Sequence, residues 1–363
     1  MKKRVFWVVL FALVFSAVIG PATQASAGPL RTKVRVGHFP NITHAQALIM
    51  HATGKVEKAF GQDTKVEWKV FNAGPSAVEA LFAGSLDIAF MGPSPAVNAF
   101  VKSNGEALRV VAGAASGGAA LVVRGDLSFE KAEDFMGHKI ASPQLGNTQD
   151  VALRSWLDQS GLKLKEVGGN VRVLPIAHSD QQTLFIKKEL DAAWTVEPWV
   201  SFLIENTGAK IYFEESELWA GGKYSTALVV VRKKFLDENP GLVKKFLEAH
   251  VEVTDWIQKN PAEAKKIVGE EIERESGKKM PEKIVDSSFA RLQFSVEPLA
   301  FSVVEQANAA HRVGFLKEPP DLGGIFDLSF LEEIMKEKGT PAEWLEEVPQ
   351  LANLAKLEEP AQK

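Results

Sequence analysis

Four short segments place hydroxyl, amide and imidazole side chains beside glycine or proline: Asn41-Ile-Thr-His44, Gly74-Pro-Ser76, Gly92-Pro-Ser94 and Gly146-Asn-Thr-Gln149. Each stands where an apolar, strand-like run gives way to a helical pattern. Helix N-termini offer unpaired N–H groups and the positive end of the helix dipole, which together suit an anion without a buried cation. Ser and Thr hydroxyls add donors that rotate to fit. Asn41, Thr43, His44, Ser76, Gly92, Ser94, Gly146, Asn147 and Thr148 are therefore candidate ligand-binding positions. The plainer roles stand beside this one. Ser76, Ser94 and Asn147 also suit capping of their own helices, and His44 suits a loop histidine bonded to backbone. Glu197, between a strand end and Pro198, suits a cap or a brace. Trp194 and Trp199 suit a core, or a wall giving apolar or cation–π contact to a ligand.

Catalytic patterns are absent. His38, His44 and His51 lack the i, i+4 zinc spacing and a paired acid, so no metal site is expected. There is no Walker loop, no Gly-x-Gly-x-x-Gly and no Gly-x-Ser-x-Gly, and Gly117-Gly118 alone is weak evidence of a phosphate loop. Asp87 and Asp191 follow helix turns and read as paired structural positions rather than acid/base partners. No enzyme activity and no cofactor are expected.

The elements that must position these loops alternate. Strand patterns cover 33–37, 66–71, 86–91, 110–115 and 119–123, and then 139–142, 171–175 and 226–232. Helical patterns cover 45–59, 74–82, 150–159 and 180–188, and five more follow from 240 to 338. Strands alternating with helices imply parallel sheets and an α/β class, and ligands of open α/β sheets bind outside the carboxyl ends of the strands. The plan is also duplicated. Leu81-Phe82, a short gap and Leu86-Asp87-Ile88-Ala89-Phe90 are echoed by Leu184-Phe185, a gap and Leu190-Asp191-Ala192-Ala193-Trp194. Two lobes on one plan, crossed twice by the chain, make a two-strand hinge able to close on a ligand.

Residues 1–27 read as an export signal: Lys2, Lys3 and Arg4, an uncharged apolar run from Val5 to Gly20, then Ala25-Ser26-Ala27 before cleavage at Gly28. The apolar run is shorter than the roughly 20 residues a membrane span needs. With no cysteine in 363 residues, lipid attachment, disulfides and thiolate chemistry are all excluded. Loss of the signal takes the net charge from −4 to −7, and nothing in that balance provides the basic stripe that nucleic-acid binding requires. A free protein confined to the periplasm fits these features. The expected division is signal peptide 1–27, first lobe 28–120, second lobe 121–222, a return to the first lobe over 223–350, and a polar tail 351–363.

Three segments then show a resemblance. Leu81-Phe-Ala-Gly-Ser-Leu-Asp-Ile-Ala-Phe-Met-Gly-Pro-Ser-Pro-Ala-Val-Asn98, Pro143-Gln-Leu-Gly-Asn-Thr-Gln-Asp-Val-Ala-Leu153 and Asp191-Ala-Ala-Trp-Thr-Val-Glu-Pro-Trp199 resemble, in order and spacing, the nitrate/sulfonate/taurine family of substrate-binding proteins of ABC importers. The match runs over roughly residues 33–260. The resemblance implies a type II periplasmic binding fold: two α/β lobes, a two-strand hinge and C-terminal helices packed on lobe one. It further implies a monomer that binds a small solute and delivers it to an inner-membrane permease and ATPase. It adds Ser116, Gly117, Glu197 and Trp199 to the loops facing the cleft, and it leaves the ligand open. Pro40-Asn-Ile-Thr-His44 is similar to the first loop of thiamine-precursor binders. A free Glu197 carboxylate would also favour an amine or hydroxyl, whereas taurine would satisfy both an anion site and that carboxylate. A small organosulfonate or related anion is the leading expectation. The alternatives are a thiamine-type pyrimidine, a ligand-presenting partner of a membrane sensor, and an enzyme on the same fold. Known enzymes of that fold are cytosolic, and the thiamine-pyrimidine synthases also use a cysteine-rich motif. The export signal argues against both kinds, and the absence of cysteine against the second.

Overall fold

A computed structural model describes residues 32–340 and 342–348; the expected export signal (1–27) and the expected polar tail (351–363) lie outside the described residues. The first lobe opens with β1 (Thr32–His38), a 3-10 turn at Ile42–His44, α1 (Ala45–Thr53) and α2 (Lys55–Phe60). The single helix expected over 45–59 is thus two, divided where Gly54 turns left-handed at φ +62°. Then come β2 (Thr64–Val70), α3 (Gly74–Phe82), β3 (Ile88–Met91), α4 (Pro93–Lys102) and β4 (Leu108–Gly117). The second lobe comprises β5 (Ala119–Val123), β6 (Lys139–Ser142), α5 (Thr148–Gln159), β7 (Arg172–Pro175), α6 (His178–Ile186), β8 (Ala192–Val196), α7 (Trp199–Thr207) and β9 (Lys210–Glu214). The chain returns through β10 (Ser225–Arg232) and continues as α8 (Lys233–Glu238), α9 (Pro240–Lys259), α10 (Pro261–Ser276), α11 (Glu282–Ala290), β11 (Leu292–Phe294), α12 (Ala300–Arg312) and α13 (Ser329–Glu337).

Two sheets result, ordered β11-β4-β10-β3-β1-β2 and β7-β6-β8-β5-β9. In each, three strands run parallel (β2-β1-β3 and β7-β6-β8), and one antiparallel strand crosses in beside them, β10 in the first sheet and β5 in the second. Both faces of the first sheet are covered, which is why its strands are apolar at successive positions. Ile88 and Phe90 join the core under α1 and α9, while Ala89 and Met91 join the core under α3, α4 and α12. The second sheet divides likewise, with Leu121 and Trp194 on one face and Val122 and Ala193 on the other.

The duplicated Leu-Asp pair has one physical role in both lobes. Asp87, fully buried, accepts the backbone N–H of Arg35 on β1 and the guanidinium groups of Arg35 and Arg232, the latter at the end of β10. Asp191 accepts the backbone N–H of Lys139 on β6 and the guanidinium of Arg124, just past β5. Each carboxylate therefore fastens the amino end of a central strand to its parallel neighbour and to the antiparallel crossing strand. That fixes which ends of the strands stay open for the loops.

The first crossing between lobes is Gly117-Gly118, at φ +82° and +72°. A Cβ on Gly117 would lie 2.6 Å from the Arg291 carbonyl oxygen, so the reversal admits glycine alone. Beside it, Thr226 on the returning strand donates its hydroxyl to the Gly117 carbonyl at 2.6 Å, and the Tyr224 hydroxyl accepts the Ala119 N–H at 3.1 Å.

Removing one partner of a buried, multiply bonded ion pair destabilises by about 3–5 kcal/mol. Asp87→Ala should therefore lower stability by that order in urea unfolding. Asp191→Ala, whose carboxylate keeps 18% of its surface in water, should lose roughly 1–3 kcal/mol. Equal, sub-kilocalorie losses at both positions would contradict the anchoring role.

Candidate functional site

The carboxyl ends of β1, β3, β6 and β8 face one another across the seam between the lobes. The loops that leave these ends, with those after β2 and β7, enclose a small cavity. Asn41, Thr43 and His44 line it from the first loop, and Asn72 and Ala73 from the entry to α3. Gly92 contributes from the entry to α4, Asn147 and Gln149 from the start of α5, His178 from the start of α6, and Thr226 from the return strand. Its water-accessible space is about 20 Å³, room for a water molecule or so. The N-caps of α3, α4 and α5 (Ala73, Gly92 and Asn147) are all part of the wall, as is the first residue of α6. Four helix N-termini thus converge on one point. Among the described residues, no Asp, Glu, Lys or Arg stands in the lining.

Its imidazoles are neutral. Burial holds His44 well below the usual histidine range, helped by the nearby His38. Its Nδ1 accepts the Phe39 backbone N–H at 3.1 Å, which leaves the ring proton on Nε2 as a donor. Burial takes His178 down to about 3, and its Nδ1 meets the Thr195 hydroxyl at 2.6 Å. Neutral donors and helix dipoles therefore set the character of the cavity.

The two lobes also bond to each other here. Trp199 Nε1 donates to Asn41 Oδ1 at 2.8 Å, the Gly74 N–H to Asn147 Oδ1 at 3.3 Å, the Ser94 N–H to Thr148 Oγ1 at 3.3 Å, and the Ile42 N–H to the Glu197 carbonyl at 3.2 Å. Gly92 is required by this approach, since a Cβ there would lie 2.2 Å from Thr148 Oγ1.

Of the positions singled out from the sequence, Asn41, Thr43, His44, Gly92 and Asn147 share this cavity. Ser94 and Thr148 meet at its rim and open onto a larger neighbouring pocket of about 400 Å³. Trp199 lies beside the cavity with its ring parallel to His178, centroids 6.3 Å apart. Gly146 donates its N–H to Asp150, holding the loop before α5. Ser116 and Gly117 line a separate cleft at the hinge, next to Arg291 and Glu214. Ser76 donates to the Ala73 carbonyl at the start of its own helix.

Glu197 is fully buried and occupied. Oε1 accepts the Ser201 hydroxyl at 2.9 Å and the Arg291 guanidinium at 3.2 Å; Oε2 accepts the Ser201 N–H at 3.1 Å and the Ser288 hydroxyl at 2.9 Å. Burial raises its carboxyl above the usual range, against the pull of these donors. It caps α7 and braces that helix against α11 of the other lobe. Four further polar wall residues were not singled out. His178 follows the same strand-to-helix logic after β7, and Gln149 closes a loop already marked. Asn72 stands at the same kind of strand-to-helix junction, after β2, and Thr226 carries no local signal, because only the antiparallel pairing of β10 with β3 sets it beside the carboxyl end of β3.

Comparison with known proteins agrees with this architecture. A taurine-binding periplasmic protein of Escherichia coli is 28% identical over 199 residues, 54% of this chain and 58% of its own length. A Bacillus subtilis protein named for binding aliphatic sulfonates is 25% identical over 344 residues, 93% of this chain and 98% of its own. The periplasmic nitrate-binding protein of Synechocystis PCC 6803 superposes with a TM-score of 0.71 at 17% identity, covering 86% of this chain and 90% of that one; the fold is that of periplasmic binding proteins. The model of the NMT1-like family matches residues 27–270, and the chain belongs to that family.

Proposed function

We propose that the chain is the periplasmic solute-binding component of an ABC importer, closing its lobes on a small organic anion and handing it to an inner-membrane permease and ATPase. The observation that carries the proposal is the convergence of four helix N-termini on a cavity that no carboxylate lines. First-turn N–H groups and dipole ends stabilise negative charge there, and the Nε2–H of His44 adds a neutral donor. The names of the taurine and aliphatic-sulfonate relatives favour a sulfonate-bearing solute. Glu197 lends no support to an amine or a pyrimidine, because both its oxygens are taken by Ser201, Ser288 and Arg291. Where the lobes touch, the Gly74 and Ser94 N–H groups rest on Asn147 and Thr148 of the opposite lobe. A sulfonate oxygen entering between them takes over as acceptor, and binding begins from separated lobes.

The chain from Gly28 onward, heated with taurine, alkanesulfonates, nitrate, bicarbonate or a hydroxymethylpyrimidine, should be stabilised by one class of anion. Ligand at a hundred times its dissociation constant gives about 2.7 kcal/mol. Stabilisation by the pyrimidine and by no anion would sink the proposal. Thr148→Ala removes the acceptor that the anion must displace from the Ser94 N–H, so it should tighten the same anion, by up to roughly tenfold, one hydrogen bond's worth, with its melting temperature without ligand nearly unchanged. Affinity for a permanently charged sulfonate should also hold within about twofold between roughly pH 8 and 6, since the wall histidines are neutral throughout. A cationic histidine as anion partner would instead make affinity climb steeply as pH falls through about 6.5, and isothermal titration at several pH values separates the two.

A further inference from the structure

At the end of β1, three side chains with metal-ligating atoms converge, and a fourth stands beside them. His38 ends β1, His51 lies on α1, and Glu271 and Glu275 sit four residues apart on one face of α10. His38 Nε2 is 2.8 Å from Glu275 Oε1. His51 Nδ1 is 3.3 Å from the same oxygen and 2.9 Å from Glu271 Oε1. The nearest atoms of His38, His51 and Glu275 lie within 4.8 Å of one another. Donors held at about 2.0–2.2 Å from a tetrahedral Zn2+ stand roughly 3.3–3.6 Å apart; the two histidine–Glu275 separations lie near that range, and the two histidines, within 4.8 Å of each other, draw together on the ion. The surroundings are dry: His38, Glu271 and Glu275 are nearly inaccessible, and the Trp68 ring stacks on His51 and meets His38 edge-on.

A cation already points into the cluster. Arg274 Nη2 bonds to Glu271 Oε1 and lies 3.5 Å from Glu275 Oε1 and 3.3 Å from His51 Nδ1. That arrangement cannot satisfy every partner. An imidazole nitrogen carries either a proton or a lone pair. With a proton, His51 Nδ1 confronts the guanidinium; with a lone pair, it confronts two carboxylates. A divalent ion removes the conflict, since neutral His38 and His51 and ionised Glu271 and Glu275 are all acceptors toward it. Arg274, with 57% of its side chain in water, is free to swing aside.

We propose that His38, His51 and Glu275, flanked by Glu271, form a zinc-type divalent cation site that pins β1 and α1 to α10, with the Arg274 guanidinium standing in for the ion. No sequence spacing marks it, because the acids arrive from α10, more than two hundred residues after the histidines. The test uses the full mature chain, stripped with a chelator and kept free of solute, so its outcome is independent of the anion proposal. It is titrated with Zn2+ calorimetrically and with Co2+ by visible ligand-field absorption. One ion per chain is expected, with an intense four-coordinate Co2+ spectrum. His51→Gln and Glu275→Gln should each weaken Zn2+ by more than about 100-fold, beyond the 10–100-fold typical of outer-shell partners, and Arg274→Gln should tighten it. Failure of the unsubstituted chain to bind one Zn2+, or undiminished binding by folded His51→Gln and Glu275→Gln chains, overturns the assignment.

Discussion

A carboxylate with no access to water holds the meeting point of the two lobes. Removing an ionised carboxyl from water costs several kcal/mol unless charge and hydrogen bonds replace the lost hydration. At Glu197 they come from three places: Ser201 on α7, and Ser288 and Arg291 at the end of α11. Its backbone joins in, donating N–H to the Gly118 carbonyl at the crossing and accepting the Ile42 N–H from the first loop. One residue therefore sets the direction of α7, the seat of Trp199 against Asn41, and the spacing between hinge and loops. It also keeps negative charge turned away from the cavity, which leaves helix N-termini and neutral donors to define what binds.

That arrangement works because the strands are aligned beforehand. Asp87 and Asp191 pin the opposite, amino ends of β3 and β8 to their neighbours, so all the functional loops emerge on the same side in both lobes. The antiparallel strands β5 and β10 start at the loop end, where Thr226 joins the cavity wall, and carry the chain away from it. The anchors and the cavity sit at opposite ends of the same strands. A change at one end alters stability, whereas a change at the other alters recognition.

How much of this is legible in the sequence follows from the range of each interaction. The Leu-Asp repeat, the proline-started helices and the glycine-flanked loops are local signals, and they foretell both sheets and five of the wall residues. Interactions across the fold are not written locally. Glu197 reads as a loop carboxylate open to a ligand because Ser288 and Arg291 lie more than ninety residues away. Ser76 reads as a cavity group by analogy with Ser94, yet its hydroxyl turns to its own helix start. β9 and β11 escape notice because Lys210–Glu214 is only half-buried and Leu292–Phe294 is three residues long. Both are edge strands, where packing leaves little pattern.

The cross-lobe bonds bear on how such a protein lets go of its cargo. The donors at the starts of α3 and α4 are not idle when the lobes meet around a cavity of water size: Asn147 and Thr148 accept from them at 3.3 Å, long for N–H to oxygen. A bound anion must exchange these weak bonds for shorter, charge-assisted ones, and affinity is the difference between the two sets. Closure without ligand is thereby partly stabilised, which limits the net gain on binding. In the proposed importer role, a carrier that surrenders its solute to a permease needs such a limit. If the solute is the anion proposed above, the same groups that would select it would also hold its affinity within the range from which it can be released.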